Sequence, residues 1–447
     1  MSMLKNQYMS KLLSIRKEEF KLLVYSTLFI FLVFASYAIL RPIRDSLGLE
    51  GGEDSLKWLF LGTLVATILS SVLAMFLSAK IPKKYYLVVI YGFFIIHLVL
   101  FYIALFYIAP HTKSFVWLCR IFYVWVSIFN MFVISSAWSL LTDIFTKDSS
   151  HRLFGIISAG ASLGSIGGAF LVSVGINFVG QNHYICLSII FLSIVLGLKS
   201  LLIKEARHLL PQTQQEDFAK NFSKPVGAKN PFEAFGLIVK SPYLLAFVAF
   251  IVLLSSVSTF LYMEQARIVK ELFSTREERI QAFAYIDLIV QIASFIIQVF
   301  LTAKITQYFG IKFLLSVLGF IISFGFIWLI FVHPAFLPLV IVMSIRRVGE
   351  YALVKPGREM LFVPFDSNVK YKVKIFLDTV VYRGGDALSA QLEGILTQIS
   401  VHISLLAGAL FSFVWGLLGL YLGKRNNSLE LNLTQKTILK EPKEVSK

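Results

Sequence analysis

Charged residues are scarce in this sequence of 447 residues: aspartate, glutamate, lysine and arginine make up 15% of it, whereas about 25% is usual in soluble globular chains. Cysteine is scarcer still. Cys119 and Cys186 are too few for a disulfide framework and lack the spacing of a zinc site. The sequence contains no HExxH, Walker or Ser/His/Asp pattern. We therefore expect no enzyme activity, no metal site and no cofactor.

Apolar residues, in contrast, make up 57% of the sequence. They form blocks of about 20 residues, the length of helix that crosses ~30 Å of hydrocarbon. The sequence therefore predicts an all-α integral membrane protein with about twelve transmembrane helices. The predicted spans lie near 23–40, 56–79, 84–109, 115–142, 153–180, 184–203, 241–264, 282–303, 312–333, 336–354, 373–398 and 401–422.

A polar linker at 204–240 divides these spans into two bundles of six, at 23–203 and 241–422. An N-terminal stretch at 1–22 and a tail at 423–447 are polar as well, and we expect all three segments in the cytoplasm. Net charge is +16, and alternating the spans places most lysines and arginines on the side of the termini, as the positive-inside rule requires. A nucleic-acid partner is therefore not needed to explain the positive net charge.

The two predicted bundles also resemble each other in sequence. Ala79-Lys80-Ile81 ends the second span, and Ala303-Lys304-Ile305 ends the eighth. Two related six-helix halves joined by a long inside loop resemble the layout of the major facilitator superfamily, with its pseudo-twofold arrangement. Such a layout implies a substrate site near the midplane, between the halves, and transport by alternating access.

Several charged residues fall inside or at the ends of the predicted spans. A charge in hydrocarbon costs roughly 2.5–3.5 kcal/mol on insertion scales, so each one needs a partner, water or a substrate. One interpretation is that they form interhelical salt bridges that lock and gate the bundle. The other is that arginines surround an anionic substrate, since the guanidinium binds phosphate or carboxylate through two hydrogen bonds. The candidate substrate-binding arginines are Arg41, Arg44, Arg120, Arg346, Arg347 and Arg383.

Residue spacing on the helices adds detail. Arg346 and Glu350 are four residues apart and Arg383 and Asp386 three apart, so each pair shares a helix face. The glycine pair that follows Arg383 lets another helix or a ligand approach the backbone. Gly160, Gly164 and Gly168 form two overlapping GxxxG motifs, which predict close helix packing in span five.

The residues also resemble a known family. Tyr37-Ala-Ile-Leu-Arg41-Pro-Ile-Arg44-Asp45 is similar to the end of the first helix in the ATP/ADP translocases of obligate intracellular bacteria and plastids, and Trp138-Ser-Leu-Leu-Thr-Asp143 to part of their fourth helix. The most specific match is Lys355-Pro-Gly-Arg358-Glu359-Met-Leu-Phe-Val-Pro-Phe-Asp366, followed by Lys374, Asp378 and Arg383 in similar spacing. The resemblance implies a nucleotide transporter, working as an exchanger or a proton symporter.

The resemblance also supplies a cellular setting and a set of roles. It implies a multi-pass protein of the bacterial inner membrane, which we expect to be monomeric, with a nucleotide or another small anion and the lipid bilayer as its partners. The family positions and the in-span acids together give the candidate coupling or gating residues Asp45, Asp143, Asp287, Glu350, Arg358, Glu359, Lys374, Asp378 and Asp386. Asp287, Asp378 and Asp386 are the candidates to carry a proton.

One departure bears on the substrate. Asp386 stands where the family pattern has a lysine, so the local charge is reversed. This favours a less charged nucleotide, another phosphorylated metabolite or proton coupling over ATP/ADP exchange. Two alternatives stay open. One is a transporter of a siderophore, drug or peptide on the same fold, and the other is a membrane scaffold or lipid-handling protein that transports nothing.

Overall fold

The computed structural model describes residues 16–52, 55–225, 235–300, 302–362, 373–374 and 376–438. Parts of the predicted N-terminal segment, linker and tail, and residues 363–366 of the translocase-like motif, lie outside them. The described chain is helical, with no strand in those ranges. Its helices are α1 (Phe20–Gly48), α2 (Leu56–Lys80), α3 (Lys83–Tyr107), α4 (Lys113–Ile144), α5 (Lys147–Val179), α6 (Gln181–His208), α7 (Gln212–Ser223), α8 (Phe235–Val239), α9 (Pro242–Leu272), α10 (Arg276–Phe300), α11 (Thr302–Val332), α12 (Phe336–Gly349), α13 (Lys355–Met360), α14 (Tyr382–Ile399) and α15 (Val401–Ile438).

Ten of these helices, within the described ranges, are long and apolar enough to cross a membrane. They correspond to ten of the twelve predicted spans, and the predicted all-α membrane fold is confirmed. The two other predicted spans, the tenth and the eleventh, are helical as well but irregular. A π-helical segment at Glu350–Val354 separates α12 from α13, and another at Leu377–Val381 precedes α14.

The irregularity in the tenth span has a local cause. Pro356 lacks a backbone N–H, and its ring clashes with the carbonyl four residues earlier, so the regular α-helical hydrogen bonds cannot continue through this point. The wider turn at Glu350–Val354 lies directly before it. Single π-helical turns inside α-helices are frequent at functional sites, and both of these segments carry an acidic residue, Glu350 and Asp378.

The helices form two compact units. The first comprises Met1–Ser55, Leu69–Lys229 and Phe273–Gln291, and the second Leu56–Ile68, Asn230–Leu272 and Ile292–Lys447. Each has its own aromatic core. Phe94, Phe122 and Phe129 are buried in the first unit, and Phe250 and Trp415 in the second.

In the first unit, α5 packs closely on α1 along the predicted small-residue face. A side chain at Gly160 would stand 2.9 Å from the carbonyl oxygen of Thr27, and one at Gly168 would stand 2.6 Å from that of Ala35. A side chain at Gly164, between them, would overlap the carbonyl of Phe31. The GxxxG prediction is therefore confirmed: only glycine lets the two backbones approach this closely.

We expect Gly164→Ala to destabilise the protein, because the added methyl group must push α5 away from the backbone of α1. Overpacking of this kind costs about 1–3 kcal/mol, measurable as a lower melting temperature in detergent. Gly155→Ala in the same helix is the matched control, since a methyl group there meets nothing within 4 Å. Equal melting temperatures for the two variants would contradict the close packing.

Candidate functional site

The C-terminal half of α1 carries two ion pairs of the first unit. Arg41 Nη1 lies 3.4 Å from Asp287 Oδ1 of α10, and Asp287 is largely buried. Arg44 Nη2 lies 2.6 Å from Asp45 Oδ1 of the same helix, and its guanidinium stands 5.0 Å from the centre of the Tyr123 ring. Four of the predicted residues are thus engaged with one another, two of them across helices.

A second group lies at the C-terminal end of α1. Glu50 Oε1 accepts a hydrogen bond of 3.0 Å from Arg276 Nε and lies 3.6 Å from Arg279 Nη2. The predicted Arg120 is not joined to the pairs on α1. Its guanidinium stands 5.0 Å from the centre of the Trp117 ring, and a side chain at Gly51 would approach it to 3.1 Å.

The predicted Asp143 belongs to the opposite end of the first unit. Lys83 Nζ lies 3.0 Å from Asp143 Oδ1, which joins the start of α3 to the end of α4. Arg152 in α5 forms two hydrogen bonds of 2.9 Å with the carboxylate of Glu19, just before α1. Both pairs connect segments that are distant in the sequence.

Two ion pairs of the second unit lie at the end of α12 and at the start of α14. Arg346 Nη2 lies 2.8 Å from Glu350 Oε2, as the four-residue spacing predicted, and both side chains are almost fully buried. The neighbouring Arg347 is 5% exposed. Arg383 Nη1 lies 3.4 Å from Asp386 Oδ2, and Asp386 is 6% exposed.

Asp386 is also tied to a neighbouring helix. Thr259 Oγ1 of α9 donates a hydrogen bond of 3.1 Å to Asp386 Oδ1. Ser389 and Ser256 lie 2.7 Å apart, oxygen to oxygen, on the same two helices. A side chain at Gly385 would collide with the Ser255 hydroxyl. The glycine therefore gives the close helix approach that the sequence suggested, and a polar seam runs between α9 and α14.

The remaining predicted residues form two further ion pairs in the second unit. Arg358 of α13 pairs with Asp378 of the second π-helical segment, and Lys374 pairs with Glu359. The side chains of Asp378 and Glu359 are 41% and 52% exposed. Pairs this exposed hold the ends of helices together but contribute little to stability.

One buried cluster of the second unit contains none of the predicted site residues. It contains Glu264 and Arg267 of α9, Glu393 of α14 and His333, which follows α11. Glu264 and Arg267 are three residues apart, a spacing that signals a pair on one helix face. Nothing in the sequence shows that Glu393 and His333 join them, because both come from other parts of the chain.

Most of the charged side chains in these groups form ion pairs. In the described part of the chain, no group of three or more histidine, cysteine, aspartate or glutamate side chains is arranged to hold a metal ion. What the structure brings together instead is arginine with carboxylate, inside helices that are otherwise apolar. A buried pair gains little net stability over an apolar replacement, so a contribution to stability does not by itself explain why these pairs are present.

Glu350→Gln should destabilise the protein by about 3–5 kcal/mol, because it leaves Arg346 charged and buried without its carboxylate. Replacing both residues by methionine should recover most of that loss, since no buried charge is then left over. Melting temperatures of the single and double variants in detergent measure the difference. A double variant less stable than Glu350→Gln would show that the pair does more than neutralise Arg346.

Comparison with solved structures shows the fold. A bacterial homologue of the human lysosomal transporter Spinster, in an inward-facing conformation, matches with a TM-score of 0.60 at 15% identity, over 93% of this chain and 99% of that one. The nucleoside transporter NupG matches with a TM-score of 0.58 at 15% identity, over 90% and 99%. A peptide transporter, POT, in complex with sulfate reaches 0.64 at 15% identity, over 92% and 95%.

Comparison of sequences shows the family but no specific relative. No curated protein matches the chain. The family model of the Major Facilitator Superfamily matches residues 22–353, well over half of the sequence. The twelve predicted spans, the helices observed and this match agree, and the chain belongs to the major facilitator superfamily.

Proposed function

We propose that this protein moves a nucleotide or a related phosphorylated or organic anion across the membrane by alternating access, as an exchanger or a proton symporter. Family and fold are those of secondary transporters. The nature of the cargo is our inference from the charges in the spans and from the resemblance to the ATP/ADP translocases. The proposal includes a bacterial inner membrane, with both termini in the cytoplasm.

The observation that carries the proposal is the set of arginines inside apolar helices. Arg346 and Arg347 are each 5% exposed, and Arg41 and Arg383 lie on other membrane-spanning helices. An isolated charge at such depth is costly, and a protein keeps it where it has a use. Guanidinium groups present paired donors that match the oxygens of phosphate and carboxylate, so an anion of this class suits them.

The ion pairs supply a way to release as well as to bind the anion. In the resting protein, Asp287, Glu350 and Asp386 occupy the guanidinium groups of Arg41, Arg346 and Arg383. An arriving phosphate takes over a guanidinium and frees the carboxylate, and the carboxylate takes it back when the anion leaves. The freed carboxylate is buried and would be left charged without a cation, so it takes up a proton until the anion leaves.

Asp386 limits how much negative charge the cargo can carry. Its hydrogen bond from Thr259 and its pairing with Arg383 keep it in the seam between α9 and α14. A phosphate beside Arg383 therefore meets a fixed carboxylate, and repulsion rises with each phosphate charge. Nucleoside monophosphates and other singly phosphorylated metabolites thus suit the protein better than ATP.

Counterflow in proteoliposomes tests the cargo. Vesicles preloaded with an unlabelled nucleoside monophosphate should accumulate the labelled compound, whereas empty vesicles should not if the protein is an exchanger. Nucleosides, peptides and siderophores serve as the comparison set. Accumulation of a neutral compound from that set, with no phosphorylated anion transported, would overturn the proposal.

Asp386→Asn should strengthen the binding of anions by about tenfold, the equivalent of about 1.4 kcal/mol, and most strongly for nucleoside triphosphates. The amide keeps an acceptor for Thr259 but removes the charge that repels phosphate. Equilibrium binding of labelled nucleotides to the purified protein measures the change. Asp217→Asn is the control, because that side chain is 81% exposed on α7. An unchanged preference in Asp386→Asn would remove Asp386 from the site.

A further inference from the structure

The buried cluster around Arg267 has an uneven charge count. Arg267 Nη2 lies 2.6 Å from Glu393 Oε1, and Nη1 of the same side chain is bonded to Glu264. The side chains of Glu264 and Glu393 are each 2% exposed and that of Arg267 is 12% exposed. Two carboxylates and one guanidinium leave one negative charge over, in surroundings where a net charge is expensive.

His333 supplies the group that can balance this charge. Its Nδ1 lies 2.6 Å from Glu264 Oε1, within hydrogen-bond distance. When the imidazole is protonated, the four side chains sum to zero. When it is neutral, they carry a charge of minus one. The occupancy of one proton therefore decides whether the cluster is neutral.

Glu393 gives a second, independent sign that a proton belongs in this cluster. Its Oε1 accepts hydrogen bonds from Thr397 at 2.8 Å, from Ser404 at 3.2 Å and from Arg267. Its Oε2 is buried and has no hydrogen-bond partner among the described residues. A buried oxygen without a donor is costly when it carries negative charge and is the atom on which a proton removes that cost.

We propose that Glu264, Arg267, Glu393 and His333 form a buried site that binds one proton. The proton is shared between the imidazole and the two carboxylates, and it comes from the side of the membrane opposite the termini, where the turn after α11 lies. The cluster joins α9, α14 and the start of α15, so its charge acts on the packing of three helices at once.

The position of the cluster connects it to the arginines of the second unit. Glu393 follows Asp386 by seven residues, which places it two turns further along the same face of α14. Thr259 and Glu264 are five residues apart on α9. The polar seam between the two helices thus has Asp386 and Arg383 at one end and the proton site at the other. A coupling role for the site rests on the proposed function, whereas proton binding itself does not.

The surroundings of His333 favour the charged imidazole. The hydrogen bond to Glu264 raises the pKa of His333 above its ordinary value, with burial opposing it and Glu271 adding to it. Arg267 acts in the other direction, and the ring of His402, from α15, lies 6.3 Å away. Because the pKa is raised in the folded protein, the stability that the protonated imidazole contributes is complete below about pH 6.5 and is lost as pH rises through the raised pKa.

The melting temperature of the purified protein, measured from pH 5.5 to 8.5 without any cargo, tests the site. We expect the wild-type protein to lose stability as pH rises above about 6.5, and His333→Gln to lack this component. Glu393→Gln should weaken this pH dependence of stability, since removing one carboxylate makes the cluster neutral without the proton. His183→Asn is the control, because His183 is exposed at the start of α6, and it should keep the wild-type profile.

Nuclear magnetic resonance of the protein labelled with ¹⁵N-histidine serves if a variant fails to fold. Of the seven histidines, one, His333, should titrate at a pH above the ordinary range for histidine. The proposal is overturned if His333→Gln retains the wild-type pH profile, or if no histidine signal titrates above about 6.5. Because neither measurement uses a transported compound, their failure leaves the anion proposal untouched, and a failed counterflow assay leaves the proton site untouched.

Discussion

Neutralising charges inside hydrocarbon is the constraint on which the ion pairs in both units of this protein depend. An ionised side chain at the centre of a span costs roughly 2.5–3.5 kcal/mol on insertion scales, so each carboxylate of the membrane helices needs a cation beside it. The described structure meets this need with arginine at six carboxylates, whereas Asp143, near the end of α4, pairs with Lys83. The pairs are Asp45 with Arg44, Asp287 with Arg41, Glu350 with Arg346, Asp386 with Arg383, and Glu264 and Glu393 with Arg267.

The spans themselves were predictable, because an apolar block of about 20 residues has one stable arrangement in a bilayer. Pairs within one helix were predictable too, since spacing of three or four residues fixes a common face. Arg346 with Glu350 and Arg383 with Asp386 are the examples. The close contact of α5 with α1 followed in the same way from its glycines.

Partners from distant parts of the chain were not predictable. Arg41 and Asp287 meet only because the first part of α10, up to Gln291, packs within the first unit, and no local pattern encodes that meeting. The same holds for His333 beside Glu264. The breaks in the tenth and eleventh spans were also missed, although Pro356 was a signal for the first. No feature of the sequence that we recognise explains the second, at Leu377–Val381.

The arginine pairs have two roles. They neutralise buried carboxylates in the membrane helices, and they hold cationic groups that can bind an anion. The most direct test is thermal stabilisation of the detergent-solubilised protein by nucleoside monophosphates and other phosphorylated metabolites. The account predicts that at least one raises the melting temperature of the wild-type protein and has no effect on the uncharged double variant Arg383→Gln/Asp386→Asn. Equal stabilisation of both proteins, or stabilisation by neutral compounds alone, would contradict it.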